Sequence, residues 1–141
     1  MDSDKNEIGI IVKILSNEIR KKMNTEGSKY GVTGIQSRVI HYVSTQERDV
    51  FQKDIESAFQ FRRSTVTGIL QLMEENGLIR RESVDYDARL KKIVITQKGL
   101  CIKAHISEDI KNIEKKLKKG LSENEINTFF SVADKMINNL K

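Results

Sequence analysis

Arg62 and Arg63 open the stretch with the most chemical character in this chain, and Ser64-Thr65-Val66-Thr67-Gly68-Ile69-Leu70-Gln71-Leu72-Met73 follows them. No acidic residue lies between Ser57 and Met73. Val66, Ile69, Leu70 and Met73 recur at helical spacing and belong to a core-facing stripe. The opposite side carries Ser64, Thr67, Gly68 and Gln71, small or neutral residues that can approach a surface closely. Cations at a helix N-terminus oppose the macrodipole, so local stability does not explain the arginine pair. A phosphate backbone does. The hydroxyls of Ser64, Thr65 and Thr67 can donate to phosphate or base edges, a threonine methyl can meet thymine, and Gln71, one turn further on, can reach adenine. The bland alternative is a pair of solvated charges beside capping hydroxyls.

A charged hairpin follows. Gly77 is placed to end the helix in a left-handed conformation. Leu78 to Val84 reads as a strand and Lys91 to Thr96 as its partner, with Asp85-Tyr86-Asp87-Ala88-Arg89-Leu90 as a polar tip between them. Asp87 can hold the Arg89 guanidinium by a charge-assisted bond and aim it into a narrow, electronegative minor groove. Otherwise Arg89 is a tip cation that keeps the loop soluble. Lys91 and Lys92 are backbone-phosphate contacts or nothing.

Other chemistry finds little footing. His41 and His105 stand apart from any carboxylate or cysteine at ligand spacing, and read as packing or surface residues. No glycine-rich phosphate loop, HExxH pattern or serine elbow occurs, so no enzyme, cofactor or metal is expected. Cys101 alone raises a redox regulator as an alternative, but no basic cluster near it gives a reason for a reactive thiolate.

These residues need elements to position them. A first helix is expected from about Asp4 to Glu26, with a stripe of Ile8, Ile11, Val12, Leu15, Ile19 and Met23 widened by Ile10 and Ile14. After a Gly27–Gly31 loop, Thr33 starts a second helix with Gln36 as capping-box partner, and Ile35, Val39, Tyr42 and Val43 form its apolar face. Asp49 is expected to cap a short third helix with Gln52 reaching back, seated on the arginine-led helix by Ile55, Ala58 and Phe59. Thr96 caps a long helix to about Lys119 carrying Ile102, Ile106, Ile110, Ile113 and Leu117. Ser122 and Glu125 then form a capping box for a last helix.

With 141 residues, no proline and a 32% charged fraction, the chain reads as one helix-rich domain, residues 1–141. The net charge of +5 is compatible with an anionic partner. It is spread along the chain, so only the local arrangement around Arg62, Arg63 and Arg89 points to nucleic acid. A single cysteine fits a reducing cytosol, and the first residues lack the pattern of a signal peptide. No apolar run approaches the ~20 residues that span a bilayer. The reading is cytoplasmic, with no membrane partner.

Ser64 to Thr67 with Leu70, the run Leu72-Met73-Glu74-Glu75-Asn76-Gly77-Leu78-Ile79-Arg80-Arg81, the pattern Asp87-Ala88-Arg89 and the exit Ile95-Thr96-Gln97-Lys98-Gly99 together resemble the MarR-type winged-helix transcriptional regulators. Gly68 stands where many members of that family place a polar or basic side chain. The fold expected is mostly α with a small β-hairpin wing. Residues 32–99 form the winged helix-turn-helix DNA-binding core, with the wing at about 78–96, and residues 4–26 and 100–141 supply dimerisation helices. The terminal stripes have few partners within one chain, so a two-fold homodimer is expected, and the resemblance implies the same. A monomer with an intramolecular three-helix bundle is the alternative. The expected function is that of a sequence-specific regulator of double-stranded DNA, a repressor rather than an activator, on an inverted repeat. A winged helix used for protein–protein contact without DNA is the competing class. The resemblance further implies release by a small, often aromatic and anionic effector. A crevice for it is expected around Ile19, Val39, Tyr42 and Ile102.

Overall fold

Three side chains capable of capping begin three of the helices as the sequence suggests. Thr33 accepts from Gln36 N at 3.2 Å while Gln36 Oε1 accepts from Thr33 N at 3.0 Å, a complete capping box. Ser122 and Glu125 form another. Thr96 accepts from Gly99 N at 3.2 Å. The computed structural model describes residues 7–141, in the order α1 (Ile8–Ser28), α2 (Gly34–Thr45), α3 (Gln52–Phe59), α4 (Arg63–Glu75), β1 (Ile79–Val84), β2 (Asp87–Ile95), α5 (Gln97–Lys118) and α6 (Glu123–Asn139). The expected start of the first helix at Asp4 lies outside the described residues.

Two boundaries differ from expectation. α1 runs through Glu26 and Gly27 to Ser28, so the loop is shorter than Gly27–Gly31. Gly27 is buried in the helix end, where a methyl group would meet the Val32 carbonyl oxygen at 2.6 Å. Asp49 does not cap α3. Asp54 Oδ2 accepts from Phe51 N at 2.8 Å instead, three residues into the helix where a carboxylate also complements the dipole. Asp49 and Gln52 are both engaged elsewhere.

α2 is the hub, packed against α1, α4, α5 and β2. Val39 and Ile40 of α2, Ile55 of α3, Val66, Leu70 and Met73 of α4, Leu78 before the hairpin and Ile106 of α5 are all fully buried. Burial of each such aliphatic side chain stabilises by about 1.5–3 kcal/mol, which fixes the inner face of α4 and leaves its outer face free. Ala58, expected in the α3–α4 contact, is exposed. Phe59 turns to Phe61 and Tyr42, with ring centroids 5.8 Å away in each case.

The end of α4 is a Schellman turn. Gly77 takes φ +72°, its N–H bonds Glu74 O and the Leu78 N–H bonds Met73 O. Three further bonds fasten this turn to the start of α5. Thr96 N donates to Leu78 O at 3.1 Å, the Thr96 hydroxyl donates to Gly77 O, and Lys98 Nζ donates to Asn76 O at 2.7 Å.

The hairpin is tighter than a six-residue tip. Val84 pairs with Asp87 across a turn at Asp85-Tyr86, whereas Ser83 pairs with Lys91, so Ala88, Arg89 and Leu90 form a bulge on β2. Ile93 N also donates to Val50 O at 2.7 Å, tying the hairpin to the segment before α3.

The ends of the chain are different. Ile8, Ile11, Val12, Ile14 and Leu15 of α1 are exposed, as are Phe129, Phe130, Ile137 and Leu140 in and after α6. α6 buries no residue. An intramolecular bundle therefore does not cover these faces.

Candidate nucleic-acid interface

The outer surface of α4 follows from its inner one. At 3.6 residues per turn, Ser64, Gly68 and Gln71 lie opposite the Val66–Leu70–Met73 stripe, while Thr67 lies on the flank towards α3. Arg62 is the N-cap residue and Arg63 the first helical residue. Arg62, Arg63, Ser64, Thr65, Thr67, Gly68 and Gln71 are all exposed. Ser64, Thr65 and Gln71 make no side-chain hydrogen bond among the described residues.

The charges sort into two sets. Arg48 faces Asp54 at 3.1 Å, Arg80 faces Glu82 at 2.6 Å, Arg81 faces Glu74 at 3.0 Å and Lys92 faces Asp49 at 3.9 Å. Arg62 and Arg63 have no acidic partner among the described residues. They share that state with cations elsewhere, Arg38, Lys53 and Lys91 among them, but they alone stand at the head of the exposed helix.

Thr67 differs from its neighbours. Its hydroxyl donates to Arg63 O at 2.9 Å and accepts from Gln52 Nε2 at 2.8 Å. The proton of this hydroxyl is therefore engaged by a carbonyl four residues back in its own helix, while the bond it accepts comes from a residue 15 positions away. Gln52 was not read from the sequence as the partner of this hydroxyl, because its position suits a cap and nothing local marks the contact.

In the wing, Arg89 stands on the bulge with its side chain 89% exposed. Asp87 Oδ1 accepts from Arg89 N at 2.9 Å and from Arg89 Nε at 3.2 Å, and Asp87 Oδ2 accepts from Arg89 Nη2 at 3.2 Å. Hydrogen bonds from the Arg89 side chain, then from its backbone N–H, hold the Asp87 carboxyl below its usual range. The fork presents a braced guanidinium rather than a free-swinging one. Tyr86 and Asp49, neither read from the sequence as an anchor of the wing, hold the tip: Tyr86 Oη donates to Asp49 Oδ2 at 3.1 Å, and Phe51 meets the Tyr86 ring edge-on at 6.5 Å.

The four residues expected to line an effector crevice differ in exposure. Val39 is fully buried and belongs to the core, while Ile19, Tyr42 and Ile102 pack against that core half-buried. Two clefts lie along α5 instead. One, of about 550 Å³, runs between α1 and α5 past Lys22, Glu26, Asp109, Asn112 and Lys116. The other, of about 760 Å³, lies between His41 of α2 and Ser107, Lys111 and Lys115 of α5. Cys101 is exposed. Among the described residues no group of three His, Cys, Asp or Glu could hold a metal ion, and no helix is long and apolar enough to cross a membrane.

Comparison with known proteins agrees with this geometry. The family model described as MarR family matches residues 30–90, from the α1–α2 loop into the wing. No curated protein matches the chain by sequence. Among solved structures, the transcription regulator MarR from Oenococcus oeni PSU-1 is 29% identical, with a TM-score of 0.83 over 94% of this chain and 99% of that one. MepR of S. aureus, solved as a DNA complex, is 25% identical, with a TM-score of 0.87 over 96% of this chain and 98% of that one. The matched core, the cap-by-cap order of its helices and the hairpin make this chain a winged-helix protein similar to the transcription regulators of the MarR family.

Proposed function

We propose that the chain works as a homodimer in the cytoplasm, binding an inverted-repeat DNA duplex and repressing transcription there. The observation that carries the DNA reading is the pair Arg62 and Arg63, left without acidic partners at the head of an exposed helix when the arginines around them are paired. Cations that contribute nothing inside the protein are the ones a phosphate backbone can use. The MepR–DNA complex supports the same reading. In this reading Arg62 and Arg63 contact phosphates; Ser64, Thr65, Thr67 and Gln71 face the major groove; and Arg89, braced by Asp87, enters the minor groove beside it. Residues 32–99 are the DNA-binding core, and the exposed apolar faces of α1 and α6 are the material of the dimer.

An effector adds a finer layer. The lysine-lined clefts along α5 suit a small anion better than the buried group around Val39. A ligand there can release the operator only if it binds the DNA-free arrangement more tightly, and DNA must then weaken its binding by the same factor.

The test is fluorescence anisotropy on duplexes selected from random sequence, across a range of salt, with sedimentation in parallel. The expected result is a dimer that prefers inverted repeats with half-sites about 10 bp apart and whose affinity falls steeply with salt. A stable monomer at micromolar concentration removes the symmetric model. Failure to bind any duplex removes the DNA reading.

A further inference from the structure

Gln52, half-buried on α3, touches both the exposed helix α4, the proposed recognition helix, and the hairpin. Its Nε2 donates to Thr67 Oγ1 at 2.8 Å and lies 3.4 Å from Arg63 O. Its Oε1 accepts from Arg81 Nη1 at 3.5 Å, and the Arg81 guanidinium is itself held by Glu74. The direction of the amide is determined by its neighbours. Arginine only donates and a carbonyl only accepts, so the oxygen must face Arg81 and the nitrogen must face Arg63 and Thr67. A threonine hydroxyl has one proton and two lone pairs. Here the proton goes to Arg63 O and one lone pair is filled by Gln52, which also fixes where the methyl group stands.

We infer that Gln52 is a specificity-determining positioning residue: through Thr67 it makes the helix read a base pair with one acceptor and one methyl group, and not with a donor. This rests on the DNA-binding reading above. In the major groove an A·T pair offers the adenine amino group to an acceptor and the thymine methyl to a methyl. A G·C pair offers an amino group too, on cytosine, but it has no methyl, and its guanine edge offers two acceptors, which a hydroxyl without a free proton cannot satisfy. Thr67 is therefore matched to an A·T pair and set against guanine. The wing takes part as well, because Arg81 on β1 holds the far end of the Gln52 amide.

The experiment is a scan of every single base-pair change in the selected operator, read by anisotropy for the unaltered protein, Gln52→Met, Gln52→Glu and Thr67→Val. The unaltered dimer is expected to prefer A·T at one position per half-site by about tenfold, the size of one well-made contact. Gln52→Met keeps the length of the side chain and removes its polar end. It should reduce that preference to about two- to threefold and leave affinity for unrelated duplexes unchanged. Gln52→Glu can only accept, so it draws the Thr67 proton away from Arg63 and should also erode the preference at that position. In the Thr67→Val background, Gln52→Met should add nothing. Uniform weakening on all duplexes would make Gln52 a packing or phosphate contact and overturn the inference, as would a full Gln52→Met effect persisting in Thr67→Val. If Gln52→Met does not fold by circular dichroism, Gln52→Glu alone decides, an unaltered base profile counting against the inference. An unaltered protein that binds no duplex removes both readings. One that binds, with Gln52 variants of unchanged profile, removes this one only.

Discussion

Tyr86, at the turn of the hairpin, donates its phenolic hydrogen to Asp49, 37 residues earlier in the segment that leads into α3. The wing of this protein is therefore a tethered arm. Its tip is held by that bond and by the Phe51 ring, and its base by the bond from Ile93 N to Val50 O. Tyr86→Phe should leave the melting temperature nearly unchanged, because an exposed bond of this kind contributes about 0.5–1.5 kcal/mol at most. Amide exchange along Asp87–Leu90 should quicken, and operator affinity should fall severalfold. Exchange rates identical to the parent's would show that the tip is held by something else.

The two sets of cations make separable predictions. Arg62→Ala and Arg63→Ala should each weaken binding to every duplex and lower the slope of log affinity against log salt by about 1. Arg89→Ala should weaken binding broadly and also erode preference for narrow-groove flanks. Arg89→Lys should not restore it, because an ammonium cannot make the fork on Asp87. Arg80→Ala is the control, and its slope should match the parent's.

Glycines distinguish open surface from close packing. Gly68 has nothing within 4 Å of where a methyl would stand, so Gly68→Ala should stabilise the fold by about 0.5–1 kcal/mol through helix propensity. Operator affinity should nevertheless fall, since Gly68 lies on the line of closest approach. Gly99→Ala should do the reverse to stability. Its methyl would meet Leu78 O at 2.6 Å and Ile95 Cγ2 at 2.5 Å, an overpacking that costs about 1–3 kcal/mol by thermal or urea unfolding.

The pH dependence of stability has a local source in His41. Burial, then the nearby Arg38 charge, pushes the imidazole below its usual value. The unfolded chain therefore takes up a proton first as pH falls. Stability should be flat above about pH 6.5 and decline below it, down to the folded-state pKa. His41→Gln should flatten that decline in urea melts, and an unaltered profile would assign it to other groups.

The exposed terminal faces lead to a prediction about assembly. Phe129→Asp should shift the sedimenting species from dimer to monomer and remove operator binding, with helix content by circular dichroism retained. A single charge at the centre of an apolar interface is worth ~2 kcal/mol or more, at least thirtyfold in dissociation constant.

Much of this was legible in the sequence because it is local. Capping boxes, the glycine ending α4 and the four-residue spacing of its core face are written within a few residues of where they act. The hairpin was legible as a hairpin, but its bulge at Ala88–Leu90 depends on which cross-strand pairs win, and that has no local mark. Asp49 and Gln52 were misassigned as cap partners for the same reason. Each has a plausible local role, and each is claimed by a group 15 or 37 residues away. Thr67 was found, but its hydroxyl was given the wrong polarity, since the competing carbonyl belongs to the helix itself. The terminal faces were legible as apolar, and the structure leaves them exposed.

Thr96 and Lys98 clasp the turn that ends α4, at Asn76, Gly77 and Leu78, with three bonds, so the first turn of α5 and the end of that helix move as one piece. Mechanically, this is a lever with no joint. In the proposed dimer, a small rotation of α5 at the seam becomes the same rotation of the reading head, with nothing between them to absorb it. Such a dimer works as a fixed gauge. Adding one base pair between the half-sites turns one of them by roughly 35° about the duplex axis, and a jointless pair of heads cannot follow it. Spacing, as much as sequence, decides where such a protein can bind.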